Sequence, residues 1–344
     1  MPLMMDRNRI PAGWAERKRG CLMFPVSDRG AIKIALVNNM PDPALEDTEL
    51  QFFELLEIAA GEIPIQVELF SLPGLQRGER VQEHLAKSYS STDELLNRRF
   101  DGVIITGTEP RHSDLRDEPY WSSLSALFDW AERNTSSAIL SCLAAHAGVL
   151  HSDGIMRHPL QDKRFGVFDS DRMCNHELLS GIGDLVQFPH SRWNELRAEE
   201  LTSCGYTVLT LSPEAGVDIF VKQKRNSLCV HFQGHPEYGA RTLMKEYRRD
   251  IKRFLRRERA TYPSLPSGYF DEGAAKLLAD FRESAESHVC EETMQVFPEA
   301  AIASALSKTW HTTAVCVYRN WMQLLAARKS DGLAFAAMAR VAQR

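Results

Sequence analysis

The chain has 344 residues, 44% hydrophobic and 25% charged, which is enough apolar material for one large packed domain and excludes a disordered chain. The net charge of −5 gives no bulk attraction to nucleic acid. No apolar run approaches the roughly 20 residues of a membrane-spanning helix, so neither nucleic acid nor a membrane is an expected partner.

Residues 1–30 read as an irregular N-terminal arm punctuated by Pro2, Pro11, Gly13, Gly20 and Pro25. Charges run through it, and it has no apolar core of a secretory signal. Ile32 to Asn38 is a β-rich apolar run feeding a loop at Asn39-Met40-Pro41. Leu45 to Ala60 predicts a helix with a core face of Leu45, Phe52, Leu55 and Leu56, stopped by Gly61. Ile65 to Phe70 alternates as a strand.

Asp101 to Gly107 predicts a strand ending in a small-residue turn, followed by a helix from about Tyr120 to Arg133. Ala138 to Ser141 is a short buried strand leading directly into Cys142, and Leu143 to Leu150 is small, apolar and helix-prone. Strand and helix alternating in this order predict an α/β fold with a mostly parallel central sheet and helices on both faces. Between residues 163 and 232 the pieces are shorter and strand-like: Gly166–Phe168, Val186–Phe188, Tyr206–Leu211, Val217–Val221 and Leu228–Phe232. A basic helix over Gly239 to Arg259, a helix near Gly273–Glu286 and a helical stretch around Ala300–Ala339 complete the chain. In the basic helix Tyr247, Ile251, Phe254 and Leu255 form an apolar stripe, and its cations read as a solvated face rather than a phosphate contact.

Seven cysteines, at positions 21, 142, 174, 204, 229, 290 and 316, are odd in number and contain no C-x-x-C pair. Neither a zinc ribbon nor a disulfide framework is expected, and a reduced cytoplasmic chain is the simpler reading. Cys142 differs from the rest by its place between a strand and a helix. A helix N-terminus favours the thiolate, and the carboxyl edge of a parallel sheet is where such folds keep their sites. On position alone, a buried inert cysteine fits equally well. The other six are read as packing residues.

His235 and Glu237 flank Pro236 in the turn after the strand Leu228–Phe232. A carboxylate held near an imidazole orients it and stabilises its cation, as a general base requires. Alone, the pair reads as a loop histidine beside a surface glutamate. With an upstream strand-to-helix cysteine, the pattern becomes specific.

Further motifs make the chain recognisable. They are Asn39-Met40-Pro41, Thr48-Glu49 with Gln51-Phe52, Phe100 to Gly107, Tyr120-Trp121, Lys163 with Gly166-Val167, and Pro189-His190-Ser191-Arg192. Gly234-His235-Pro236-Glu237-Tyr238, Glu246-Tyr247 with Arg249-Asp250, and Asn320-Trp321 follow. Together they resemble the homoserine O-succinyltransferase family, an offshoot of the class I glutamine amidotransferase fold, over roughly residues 32–325.

The chain is read as an arm at 1–30, a catalytic domain at 31–325 and a tail at 326–344, and the resemblance explains the catalytic domain but neither the arm nor the tail. It implies that Cys142 attacks an acyl-CoA thioester, that His235 moves the protons and that Glu237 orients His235. Backbone N–H groups at Leu143 and in the Gly107 turn would hold the oxyanion. Lys163, Ser191 and Arg249 would bind the amino-acid acceptor, homoserine by default, at the start of methionine synthesis. Acyl-CoA is then a co-substrate, no cofactor stays bound, and a homodimer is expected. Acetyl transfer to homoserine or acyl transfer to another hydroxyl amino acid, a glutamine amidotransferase-like hydrolase and a non-enzymatic relative are the alternatives.

Two departures from the family pattern stand out. The loop after Met40-Pro41 reads Asp42-Pro43-Ala44-Leu45-Glu46-Asp47 and lacks the family's lysines. Position 111, which the family associates with acyl choice, is Arg111. This arginine either pairs with a succinyl carboxylate, the reading favoured here, or pairs with Glu109 or Asp114 and narrows the pocket toward acetyl.

Overall fold

The structure, a computed structural model, describes residues 3–6, 9–18, 30–303, 306 and 308–342, with 332–342 described by backbone alone. Cys21, Pro2, Gly20 and Pro25 lie outside the described residues.

The first half contains β1 (Leu3–Met4), α1 (Ala12–Arg17), β2 (Ile32–Val37), α2 (Leu45–Ala60), β3 (Ile65–Phe70), α3 (Glu79–Ser88), α4 (Thr92–Leu96) and β4 (Gly102–Ile105). Then come α5 (Trp121–Asn134), β5 (Ser137–Ser141), α6 (Leu143–Asp153), β6 (His158–Arg172), β7 (Leu185–Glu195) and α7 (Ala198–Ser203). The short strands β8 (Thr207–Val208), β9 (Thr210–Ser212) and β10 (Gly216–Val217) lead to β11 (Ile219–Lys224) and β12 (Ser227–Phe232). Four helices close the chain: α8 (Thr242–Leu255), α9 (Glu272–Ser287), α10 (Glu299–Ala303) and α11 (His311–Ala342).

Eight strands form the main sheet in the order β1-β3-β2-β4-β5-β12-β11-β8. Pairing is parallel from β1 through β12 and antiparallel at β11 and β8. The two-residue alternation of strands sends Ile34 and Leu36 of β2 into one core, while Ala35 and Val37 face the other. With helices on both faces, the central strands are buried throughout, which explains their unbroken apolar runs. The predicted mixed α/β architecture is therefore present.

Helix α2 runs over the residues its periodicity marks, burying Phe52, Phe53, Leu55 and Leu56. Helix α11 shares that core through Tyr318, Trp321 and Leu325, all fully buried. Trp321 Nε1 donates to Ser137 Oγ at 2.9 Å, which pins the helix to β5. Gly102 allows the close approach, because a Cβ there would lie 2.8 Å from Trp321 Cζ2 and Leu325 Cδ1. Helix α11 passes unbroken through position 325, so the expected tail continues an element of the body. The arm also joins the body: β1 adds an edge strand beside β3, and Trp14 packs 5.3 Å from Phe53.

The region expected as short strands is different. Strands β6 and β7 are 15 and 11 residues long and make the middle of a second, antiparallel sheet, β10-β9-β6-β7. Their outer portions are polar and exposed, so hydropathy marks only the buried centre around Phe165–Phe168 and Val186–Phe188. The basic helix is trimmed to Thr242–Leu255. The last helical stretch is two helices, and residues 304, 305 and 307 between them lie outside the described ones. Helices α3 and α4 went unforeseen because few of their residues are buried, Val81 and Ser88 in α3 and Leu95 in α4.

Candidate active site

The carboxyl ends of β2, β4, β5 and β12 lie level: Val37 is in register with Ile105, Ile105 with Leu140, and Ser141 with Phe232. The next residue along β5 is Cys142. Its backbone is in a left-handed conformation, φ 52° and ψ −112°, which non-glycine residues adopt at a cost of about 1–3 kcal/mol. The turn persists because Cys142 N–H donates to Phe232 O at 2.8 Å and its carbonyl accepts from Ala145 N–H at 2.9 Å. The side chain is thereby presented above the sheet edge at the start of α6. Cys142 is partly exposed there, whereas Cys229 is buried in β12, and burial pushes its thiol up to about 12. Cys290 is exposed, contrary to the packing role expected of it, because it precedes a short turn of helix outside the sheet core.

His235 leaves the end of the neighbouring β12. Its backbone N–H donates to Pro189 O at 2.8 Å, and Gly234 N–H donates to Asp218 Oδ1 at 2.8 Å. A Cβ on Gly234 would stand 2.9 Å from Asp218 Oδ1 and 3.0 Å from His190 Nε2, so a side chain there would displace the catalytic turn. His235 Nδ1 lies 2.8 Å from Glu237 Oε1, and the ring stacks on Tyr238 with centroids 4.2 Å apart. Cys142 and His235 line the same cavity, and the charge of His235 responds to Cys142 as well as to Glu237. Burial opposes charging His235, but Cys142 and Glu237 outweigh it and hold its pKa well above the ordinary imidazole value. Cys142, His235 and Glu237 are thus brought together at one end of the cavity, as the sequence reading expected of them.

Gly107 and Leu143 also meet. A Cβ on Gly107 would be 2.9 Å from Leu143 N and 2.8 Å from Leu143 Cβ. Leu143 is the first residue of α6, where a helix leaves its N–H groups unspent. The Gly107 turn is fixed by the Asn39-Met40-Pro41 motif: Asn39 N–H donates to Thr106 Oγ1 at 2.8 Å and its amide to Thr106 O at 3.2 Å.

A cavity of about 510 Å³ opens onto Cys142 and runs between the main sheet, β7 and α8. Lys163, Ser191 and Arg249 all line it, brought together from β6, β7 and α8. Sequence reasoning did not assign roles to the two acids between them. Lys163 Nζ donates to Asp250 Oδ2 at 3.0 Å and approaches Glu246 Oε2 at 3.5 Å. Ser191 Oγ donates to the same Glu246 oxygen, Tyr238 O–H donates to Glu246 Oε1 at 2.6 Å, and Arg249 forks onto Asp250 Oδ1 at 3.1 Å. Burial raises the pKa values of Glu246 and Asp250, yet Lys163 and Arg249 more than offset it, so both carboxyls stay below their ordinary range. The helical spacing of Glu246 and Arg249 on α8 was the available signal.

Arg111, expected to act on the acyl group, is not among the residues lining this cavity. Its guanidinium donates to Gln76 Oε1 at 2.7 Å, and neither Glu109 nor Asp114 pairs with it. Glu118 holds it there by accepting the backbone N–H groups of Arg111 at 2.5 Å and His112 at 2.7 Å. The acidic loop that lacks lysines is tied down in another way. Asp42 accepts from Arg77 at 3.2 Å and Gly78 N–H at 2.7 Å, and Lys245 reaches Asp47 at 2.5 Å.

These features define a class: an α/β fold that carries a cysteine on a strained strand-to-helix elbow with a histidine–glutamate pair beside it. A sequence model of the family described as homoserine O-succinyltransferase matches residues 26–331. Proteins named homoserine O-succinyltransferase are similar to this chain: one from Rhodopseudomonas palustris is 45% identical over 86% of this chain and 88% of its own. One from Methylorubrum extorquens is 40% identical over 92% and 93%. The chain belongs to the homoserine O-succinyltransferase family. Among solved structures, a glutamine amidotransferase from Thermotoga maritima aligns at 11% identity over 86% of this chain and 98% of that one, with a TM-score of 0.46. A glutamine amido transferase from Methylobacillus Flagellatus aligns at 14% identity over 86% and 95%, with a TM-score of 0.47. Among the described residues, no helix is long and apolar enough to cross a membrane.

Proposed function

We propose that this protein transfers a succinyl group from succinyl-CoA to the hydroxyl of homoserine by a ping-pong route through Cys142. The observation that carries the reading is that Cys142, His235 and Glu237 line one cavity, with His235 Nδ1 2.8 Å from the Glu237 carboxylate.

In the first half-reaction the Cys142 sulfur attacks the thioester carbonyl. The oxyanion forms where the N–H groups of Leu143 and the Gly107 turn converge. The bond to the CoA sulfur then breaks, His235 gives that sulfur its proton, and the acyl group is left on Cys142. In the second, His235 takes the homoserine hydroxyl proton as the oxygen attacks the acyl-enzyme. The bond to Cys142 Sγ breaks, which releases the ester and restores the thiolate–imidazolium pair. Glu237 keeps Nδ1–H directed at itself, so the other ring nitrogen serves the reacting atoms in both halves.

The acceptor side suits a zwitterion. Arg249 and Lys163 supply cations for an α-carboxylate, and Glu246 supplies the charge for an α-ammonium. Today these groups satisfy one another, and a bound amino acid would exchange into that network. The ester it yields is a substrate for later sulfur transfer in methionine synthesis, and the free cysteines suit a cytoplasmic enzyme. CoA release with purified protein, using succinyl-CoA or acetyl-CoA against homoserine, serine and threonine, tests the reading. Turnover confined to succinyl-CoA with homoserine and lost in Cys142→Ala is expected. Turnover that survives in Cys142→Ala refutes it.

A further inference from the structure

Six cations line the Cys142 cavity: Arg157, Lys163, Arg192, Arg249, Arg253 and Arg259. Lys163, Arg249 and Arg259 converge on Asp250, and Arg253 faces Glu109 at 3.9 Å. Arg192 is buried, with its N–H groups directed at His190 Nδ1, Asn194 O and Ala215 O. Arg157 is different. Its Nη2 donates at 3.0 Å to two backbone carbonyls, His112 O and Ser113 O, and among the described residues no carboxylate lies within ion-pair distance. The nearby acids act on Arg157 only from beyond ion-pair distance: Asp114 pairs with Arg116 at 2.6 Å, and Glu118 accepts the backbone N–H groups of Arg111 and His112 on one oxygen while its other, buried, oxygen has no partner among the described residues. Nη1 and Nε of Arg157 have no protein acceptor among the described residues, and Arg157 lines the same cavity as Cys142. A partly buried guanidinium, anchored on one edge by neutral carbonyls and open on the other toward a nucleophile, calls for an anionic ligand group.

We propose that Arg157 is the donor-side anion subsite, receiving the free terminal carboxylate of a dicarboxylic acyl group while its thioester end meets Cys142. This inference rests on the acyl-transfer reading above and assigns its donor preference to a residue outside the motifs. It also gives the 111 loop a part to play. Glu118 fixes the backbone at Arg111 and His112, and the next carbonyls, those of His112 and Ser113, position Arg157. The loop then acts on acyl choice through the arginine it anchors rather than through the Arg111 side chain. Arg157 is a specificity residue, because acetyl has no second carboxylate to offer it.

The test is kcat/KM for succinyl-CoA and acetyl-CoA, with homoserine as acceptor, in wild type, Arg157→Lys and Arg157→Met. The expected result is a succinyl-to-acetyl ratio that falls by about tenfold to a hundredfold in Arg157→Met, the scale of one charge-assisted hydrogen bond. Arg157→Lys, which keeps the charge and loses the fork, falls between. The KM for homoserine should not follow the ratio. If Arg157→Met does not fold, Arg157→Gln removes the charge while keeping a donor for the two carbonyls, and the same ratio is read. Wild type active with succinyl-CoA and a ratio unchanged in the variants overturns the Arg157 assignment alone. Wild type that releases CoA from neither donor overturns the acyl-transfer reading, and the subsite with it.

Discussion

Glu237 directs Oε1 at His235 Nδ1 from 2.8 Å, while its other oxygen, equally buried, has no hydrogen-bond partner among the described residues. A carboxylate with one oxygen left unpaired in a buried site costs stability, and in the proposed mechanism the other oxygen sets the imidazole tautomer. Glu237→Gln should therefore lower kcat by about 10²–10⁴-fold, leave KM for both substrates within a few-fold, and not destabilise the fold. Steady-state kinetics with a thermal melt check it.

The charge of His235 depends on its neighbours. Because Cys142 and Glu237 together outweigh burial, the imidazole should titrate above 6.5 in the wild type and fall in Cys142→Ala, read by NMR of labelled histidine. A folded-state value raised above the unfolded one makes His235 contribute stability in full below about pH 6.5 and lose it as pH rises through the folded value. The stability gap between wild type and His235→Asn, from denaturant titrations, should accordingly narrow with rising pH.

Gly107 is where the oxyanion pocket can be closed without touching the triad. A methyl group at 107 would sit 2.9 Å from Leu143 N and crowd the space the oxyanion occupies. Gly107→Ala should reduce kcat by about 10²–10³-fold, the scale of a lost oxyanion donor. Labelling of Cys142 by iodoacetamide should persist, which separates a blocked pocket from a lost nucleophile.

Gly102 provides the structural counterpart far from the chemistry. Gly102→Ala must push Trp321 and Leu325 outward, and a cost of about 1–3 kcal/mol is expected from overpacking. Denaturant midpoints should fall while kcat/KM per folded molecule holds.

Arg111→Ala should shift the succinyl-to-acetyl ratio by less than about twofold, as a surface substitution does. Its guanidinium reaches Gln76 and not the cavity. A shift as large as that expected for Arg157→Met would restore Arg111 to the acyl subsite.

The central strands, α2 and the grouping of Cys142, His235 and Glu237 were legible because each depends on local pattern. Apolar runs mark strands buried on both faces, and Cys142 and His235 follow directly on their ends. The second sheet was not legible, since β6 and β7 alternate with exposed polar residues and their pairing is long-range. The acids Glu246 and Asp250 and the open arginine at 157 escaped for a related reason. What distinguishes Arg157 from the other cavity cations is that it has neither a carboxylate partner nor, unlike Arg192, protein acceptors for all its nitrogens among the described residues, which only the fold reveals. The placement of the Arg111 side chain was not legible either: its loop lies beside the cavity in the chain, but Glu118 holds the loop backbone and the guanidinium meets Gln76 instead.

The most direct test of the central claim is intact-mass analysis of the protein mixed with succinyl-CoA in the absence of any acceptor. The account predicts one succinyl group on Cys142, equimolar CoA release, no adduct in Cys142→Ala, and discharge of the adduct when homoserine is added. Release of CoA only when homoserine is present, with Cys142 never carrying the acyl group, would contradict it.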